Sequence, residues 1–259
     1  MASLKEIKAR IASVNNTLKI TSAMKMVASA KLHRVQNVAE GLAAYSERLA
    51  DIAAALTADS ELEFSSPLAE PHEALRRAVV VAVSSDGSLC GAFNTNVIRV
   101  MLAEVESLRN QGFEAVEVWP VGEKIAQAAH KVGFEVCDDF RKLASKATSG
   151  DAAALAQRLM DRYVSGAIDR VSLVYTHFHS MGHQEPRQEV FLPADFSDLH
   201  GAAEPALESI EEQPSRSDVH PDYIYEPDPR TLLEELLPYT LRMRIFEVLL
   251  DSATAEHAA

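Results

Sequence analysis

Cysteine is nearly absent from this chain. Cys90 and Cys137 are the only two in 259 residues, far apart and in neither a CxxC nor any other metal-ligand spacing. That scarcity excludes a disulfide framework and suits a reducing compartment. Long apolar runs are missing too. The β-branched run at 78–83 has the length of a strand, and nothing approaches the ~20 residues that span a bilayer. Basic residues are outnumbered: 25 Lys and Arg face 38 Asp and Glu, for a net charge of −13. General phosphate attraction is therefore a poor basis for binding, and no nucleic-acid partner is expected. The first residues are basic and apolar at helical spacing, which is not the continuous apolar block of a secretory signal. A cytoplasmic protein is expected, with no direct membrane insertion.

Glycine and proline are absent from residues 1–40, and this same stretch holds seven basic against two acidic residues. A local surplus of +5 leaves −18 on the rest of the chain. A basic arm on an acidic protein suits an acidic partner or a phosphate surface, or is simply the solvated face of a helix. The arm reads as one helix over 3–56, with Ser3 and Glu6 at capping-box spacing. Apolar or small residues recur in alternating steps of three and four: Leu4, Ile7, Ile11, Val14, Leu18, Thr21, Lys25, Ala28, Leu32, Val35. A phase slip then carries the stripe to Val38, Leu42, Tyr45, Leu49, Ile52 and Leu56. This is a coiled-coil seam, weak where Thr21, Lys25 and Ala28 stand. At 1.5 Å per residue the helix is roughly 80 Å long. Such a helix needs a partner helix.

From 76 to 193 the period changes. Strands are expected at 78–84, 115–121, 134–140, 171–177 and 189–192, with helices up to 110, at 123–131 and at 151–164. That alternation predicts an α/β domain with a mostly parallel sheet covered on both faces. Residues 65–71 read as a connector, and the acidic stretch 204–222 as a loop. Residues 223–225 could return to the sheet edge. Asp228 and Pro229 then start a helix, whose stripe is Leu233, Leu237, Leu241, Ile245, Leu249 and Ala253. Pro238 inside that run should kink it or need a local partner. The stripe reaches Ala259 without a stop signal, so the chain is expected to be cut short there.

The chemical candidates are thin. The segment 84–94, SSDGSLCGAFN, follows a strand and opens a helix, a place where a phosphate can sit. It lacks both GxGxxG and the Gly-Lys-Ser/Thr ending, so a tight turn with small residues explains it without a ligand. Ser85, Ser88 and Cys90 have no nucleophile setting. His177 and His179 share a strand face and His183 lies in the following turn, so three imidazoles could converge. A polar strand end is the preferred reading. No catalytic residue, cofactor or metal site is assigned.

Three stretches carry a resemblance. LKEIKARIASVNNTLKITSAMKMVASAKL at 4–32 closely resembles the opening helix of F-type ATP synthase gamma subunits. SSDGSLCGAFN is similar to that family's S-D-R-G-L-C-G-x-x-N segment, with Gly87-Ser88 where Arg-Gly is usual. YIYEPDPRTLLEELLPYTLRMRIFEVLLDSATAEHAA at 223–259 resembles the start of the family's C-terminal helix. The resemblance implies a Rossmann-like α/β domain at 76–225. It also implies a long antiparallel coiled coil between an N-terminal helix at 1–57 and a C-terminal helix begun at 228–259 and cut short. It implies a non-catalytic central-stalk subunit that couples ion-driven rotation, in hydrogen-ion transport for example, to ATP synthesis. The implied partners are the alpha and beta subunits of the catalytic ring, the epsilon subunit and the c subunits of the membrane rotor ring. The implied place is peripheral, on the cytoplasmic face of the bacterial inner membrane. Lys8, Arg10, Met24, Lys25, Lys31 and Arg34 are the residues expected to meet the ring. Two other readings remain: a flavodoxin-like nucleotide- or small-ligand-binding module dimerised by a coiled coil, and a structural adaptor.

Overall fold

The computed structural model describes residues 3–57, 65–145, 147–195 and 226–259. Helix α1 is continuous over Leu4–Thr57. The expected capping box closes its start: the Ser3 amide donates to Glu6 Oε2 at 2.8 Å, and the Glu6 amide donates to Ser3 Oγ at 3.3 Å. The expected loop at 204–222 and the possible edge return at 223–225 lie outside the described residues.

A five-stranded sheet follows, in the order β3-β2-β1-β4-β5. Its strands are β1 (Arg77–Val83), β2 (Ala115–Val121), β3 (Glu135–Val136), β4 (Arg170–Ser180) and β5 (His183–Leu192). The first four are parallel neighbours, and β5 returns antiparallel to β4. Helices α2 (Phe93–Asn110), α3 (Glu123–Val132), α4 (Ser149–Val164) and α5 (Pro229–Ala258) complete the fold. Alternation along β1 sets the two faces, because successive side chains point to opposite sides. Ala78, Val80 and Ala82 meet Val97 and Met101 of α2 and Ile125 of α3. Val79, Val81 and Val83 meet Leu155 and Leu159 of α4 and Leu241 of α5.

Two strands differ most from their expected bounds, and β4 runs three residues further than expected, to Ser180. The third was expected over 134–140, but the sheet edge takes only Glu135–Val136, and Asp138–Ser145 winds into a 3-10 helix. The last ladder bond there runs from the Cys137 amide to the Val118 carbonyl at 3.0 Å. Phe140 then stacks on Trp119 at 5.6 Å, and Arg141 pairs with Glu123, so side-chain packing turns the backbone away. The fifth strand begins at His183 rather than 189, since the turn after Ser180 folds it straight back on β4.

The seam of α1 is also corrected. Val38, Tyr45 and Ile52 stay exposed, whereas Ala39, Ser46 and Ala53 turn inward, Ala53 fully so. The stripe is therefore one uninterrupted heptad pattern, 28-32-35-39-42-46-49-53-56, with no phase slip. The reason is packing at the facing helix. α5 brings Leu237, Leu241 and Ile245 into the core that holds Ala53. Large residues on one side leave room only for small ones on the other.

α5 starts as the sequence indicates: the Thr231 amide donates to Asp228 Oδ1 at 3.0 Å, and Pro229 takes the first turn. The helix continues through Pro238. It runs antiparallel to α1, with Ser46 bonded to Glu247 and Tyr239 Oη within 3.1 Å of Tyr45 Oη. On its other side it covers α4 and β4. Being covered twice explains the consecutive buried residues Val248, Leu249 and Leu250.

Candidate functional site: the uncovered half of helix α1

α5 covers α1 only from about Ala28 onward; every residue from Ser3 to Val27 is exposed. Leu4, Ile7, Ile11, Val14 and Leu18 of the seam stand 47–70% exposed. Such side chains gain about 1.5–3 kcal/mol each on full burial. A contiguous apolar stripe left in water marks a surface meant for another molecule or segment. Thr21, in the weak part of the seam, turns its hydroxyl back to the Thr17 carbonyl at 2.6 Å, so it stays satisfied with no outside partner.

The six residues singled out from the sequence all lie on α1 and all are exposed. At 100° per residue they do not share one face, and from Lys8 to Arg34 they span roughly 39 Å of axis. The structure therefore spreads them along and around the rod, with Lys31 and Arg34, at i and i+3, as neighbours on one face. Lys31 has a further setting. It stands near the last turn of α5, where burial raises the Glu256 carboxyl, Asp86 adds to that rise, and Lys31 opposes it. Burial lowers the His257 imidazole, and Lys31 lowers it further.

The segment 84–94 is knotted by its own groups. Asn94 Oδ1 accepts from the Ser85 amide at 3.1 Å, and Asn94 Nδ2 donates to the Gly87 carbonyl at 2.9 Å. Asp86 Oδ1 accepts from the Glu123 amide at 3.0 Å, and Ser84 Oγ from the Ile125 amide at 3.0 Å. The side chains of Ser84, Ser85, Asp86 and Asn94 are thus engaged in closing the turn. The three imidazoles do come together, with ring centroids 4.4 Å apart for His177–His179 and 4.8 Å for His179–His183. His177 is held by Asp251 and His179 by Glu185 at 3.1 Å. Among the described residues, no group of His, Cys, Asp or Glu is arranged to hold a metal ion. Nor is any helix among them long and apolar enough to cross a membrane.

A polar cluster that the sequence reading missed joins the helix pair to the sheet. Arg244 of α5 reaches Glu189 of β5 with Nε to Oε1 at 2.9 Å and Nη2 to Oε2 at 2.6 Å. Burial alone would lower the guanidinium, but the Glu189 bonds and the charges of Glu189, Tyr175 and Glu247 outweigh it and push it up. Burial likewise pushes the Tyr175 hydroxyl well above its usual range, against the opposing charge of Arg244. The only sequence signal was two arginines and a glutamate inside the otherwise apolar run LRMRIFEVLL.

A family model described as ATP synthase matches residues 3–259. The ATP synthase gamma chain of Phocaeicola vulgatus is 47% identical over 260 residues, covering 100% of this chain and 85% of that protein. The chain belongs to the ATP synthase gamma-chain family. The gamma chain of Bacteroides thetaiotaomicron is 44% identical with the same coverage. Among solved structures, the central stalk and c-ring of the Tetrahymena thermophila mitochondrial ATP synthase matches with a TM-score of 0.59 at 22% identity. It covers 92% of this chain and 95% of that one. At that identity the likeness is one of fold: two long helices beside an α/β sheet.

Proposed function

We infer that this chain is the shaft of a rotary ATP synthase and carries no catalytic site itself. Residues 1–57 and 228–259 form the shaft, and 76–225 form the α/β body at its foot. The observation that carries the reading is the bare half of α1, an apolar seam edged with lysine and arginine and covered by none of the described residues. In this role the seam meets another helix, while Lys8, Arg10, Met24, Lys25, Lys31 and Arg34 meet acidic surfaces of an alpha–beta ring. The body faces the epsilon subunit and the c subunits, which hold it peripherally at the inner membrane. An off-centre shaft presents different faces to the catalytic subunits in turn. Only such differential contact can shift their open and closed states. Water-exposed ion pairs are weak individually, which lets the surfaces slide.

Lys25 is the test position, because it puts a charge in the seam. In a reconstituted ATP synthase containing this chain, Lys25→Glu should impair ion-driven ATP synthesis more than Lys25→Ala, with assembly intact. Equal, near-normal synthesis in both variants would remove Lys25 from the coupling surface. Calorimetry of the chain alone with ATP should show no binding at micromolar concentrations; stoichiometric binding there would favour a ligand-binding module instead.

A further inference from the structure

Two kinds of contact join the α1–α5 pair to the α/β body. The first is apolar and broad, with Leu237, Ile245, Val248 and Leu249 sharing a core with Leu159 and Leu173. Apolar burial is non-directional, so it holds the surfaces together better than it resists their turning. The second kind is directional and, apart from the Arg242 bond to Gln157 of α4 at 2.6 Å, lies along one stripe of α5. Arg244 forks onto both oxygens of Glu189, and its Nη2 also donates to the Tyr175 hydroxyl at 3.0 Å. That hydroxyl donates onward to Glu189 Oε2 at 3.0 Å. Arg244 Nη1 reaches Glu247 at 3.2 Å, and Glu247 accepts from Ser46 of α1. Two turns after Arg244, Asp251 accepts from the Phe178 backbone amide at 2.8 Å and holds the His177 ring.

Residues 244, 247 and 251 follow i, i+3, i+7, so they share one helix face over about 10 Å of axis. Through this stripe α5 is bonded to β4 and β5 on one side and to α1 on the other. Arg244 is the member that touches both strands and, through Glu247, the helix partner. A planar fork on a carboxylate fixes direction as well as distance. A turn of about 30° moves a group on the helix rim by roughly 3 Å, which parts a hydrogen bond. The stripe therefore adds a directional restraint on rotation of α5 about its own axis to the restraint given by the packed apolar side chains.

We propose that this stripe, centred on Arg244, is the torsional clamp through which turning force passes between the helical shaft and the α/β body. The proposal rests on the shaft reading above. It makes Arg244 a positioning residue that acts through Glu189 and Tyr175.

The test uses the whole complex in sealed vesicles, comparing the original chain with Arg244→Met and Arg244→Lys. ATP hydrolysis and ATP-driven ion pumping are measured on the same vesicles and expressed as pumping per ATP hydrolysed. Arg244→Met should keep hydrolysis within about twofold while pumping per ATP falls at least about threefold. Arg244→Lys, which keeps the charge but not the fork, should fall in between. Unchanged pumping per ATP in Arg244→Met overturns the clamp, as does a parallel loss of both activities that leaves the ratio unaltered. If Arg244→Met fails to assemble, Arg244→Lys decides, and an unaltered ratio there overturns the clamp. Vesicles with the original chain that hydrolyse ATP and pump nothing would reject the shaft reading itself.

Discussion

Asp169 offers a sharp test of how the connector before β1 is held. The residue is 6% exposed, and its Oδ2 accepts from the backbone amides of Arg76 and Arg77, both at 2.9 Å. Oδ1 lies 3.0 Å from His72 Nδ1, and the His72 ring stacks on Tyr163 at 4.3 Å. Asp169→Ala leaves two part-buried amides without their acceptor, and should cost about 3–5 kcal/mol. Asp169→Asn should cost only about 1–2 kcal/mol, for the loss of charge assistance. Its amide oxygen can take the Oδ2 position and keep both backbone bonds, while its amide group donates to His72 Nδ1.

The acid side gives a second reading of the same site. Burial pushes the Asp169 carboxyl up, but the Arg77 amide, the His72 ring and the Arg76 amide outweigh it and hold it below its ordinary 3.8. A carboxyl depressed in the folded state contributes stability that is full above the unfolded value, near 4, and is lost as pH falls through the folded value. The gap between the original chain and Asp169→Asn should therefore close as pH drops below about 4. Urea unfolding at pH 7 and across pH 3–5 measures both effects, read by helical circular dichroism and by the fluorescence of Trp119, the single tryptophan, which is fully buried. Asparagine costing as much as alanine would refute the bonding scheme. A gap that stays constant into acid would refute the charge assignment.

Two further predictions address the corrected seam and a close backbone approach. Ile52→Gln should cost less than about 0.5 kcal/mol despite the larger side chain, whereas Ala53→Gln should cost more than about 2 kcal/mol by overpacking against α5; equal costs by chemical denaturation would restore the slipped seam. Gly122→Ala should destabilise by about 3 kcal/mol or more, because φ is +108° and the added carbon would lie 2.3 Å from the Ser84 carbonyl oxygen; a melting temperature within a degree of the original would sink that reading.

Local chemistry wrote much of this fold directly into the sequence. The Ser3–Glu6 box, the Asp228 cap with Pro229, the β-branched run of β1 and the 115–121 strand depend only on neighbours along the chain, and each was legible. The helical course and basic charge of the first half of α1 were legible for the same reason: helix period and charge are local properties. The inward face of α1 beyond Val35 was not. There, size misled, because Val38, Tyr45 and Ile52 look like core while the bulk of α5 selects Ala39, Ser46 and Ala53. The Arg244–Glu189–Tyr175 cluster was hidden as well, since its members are 55 and 69 residues apart from Arg244 in sequence. A side chain's partner across such distances is fixed by how helices and strands cross, and only the packed tertiary structure decides that.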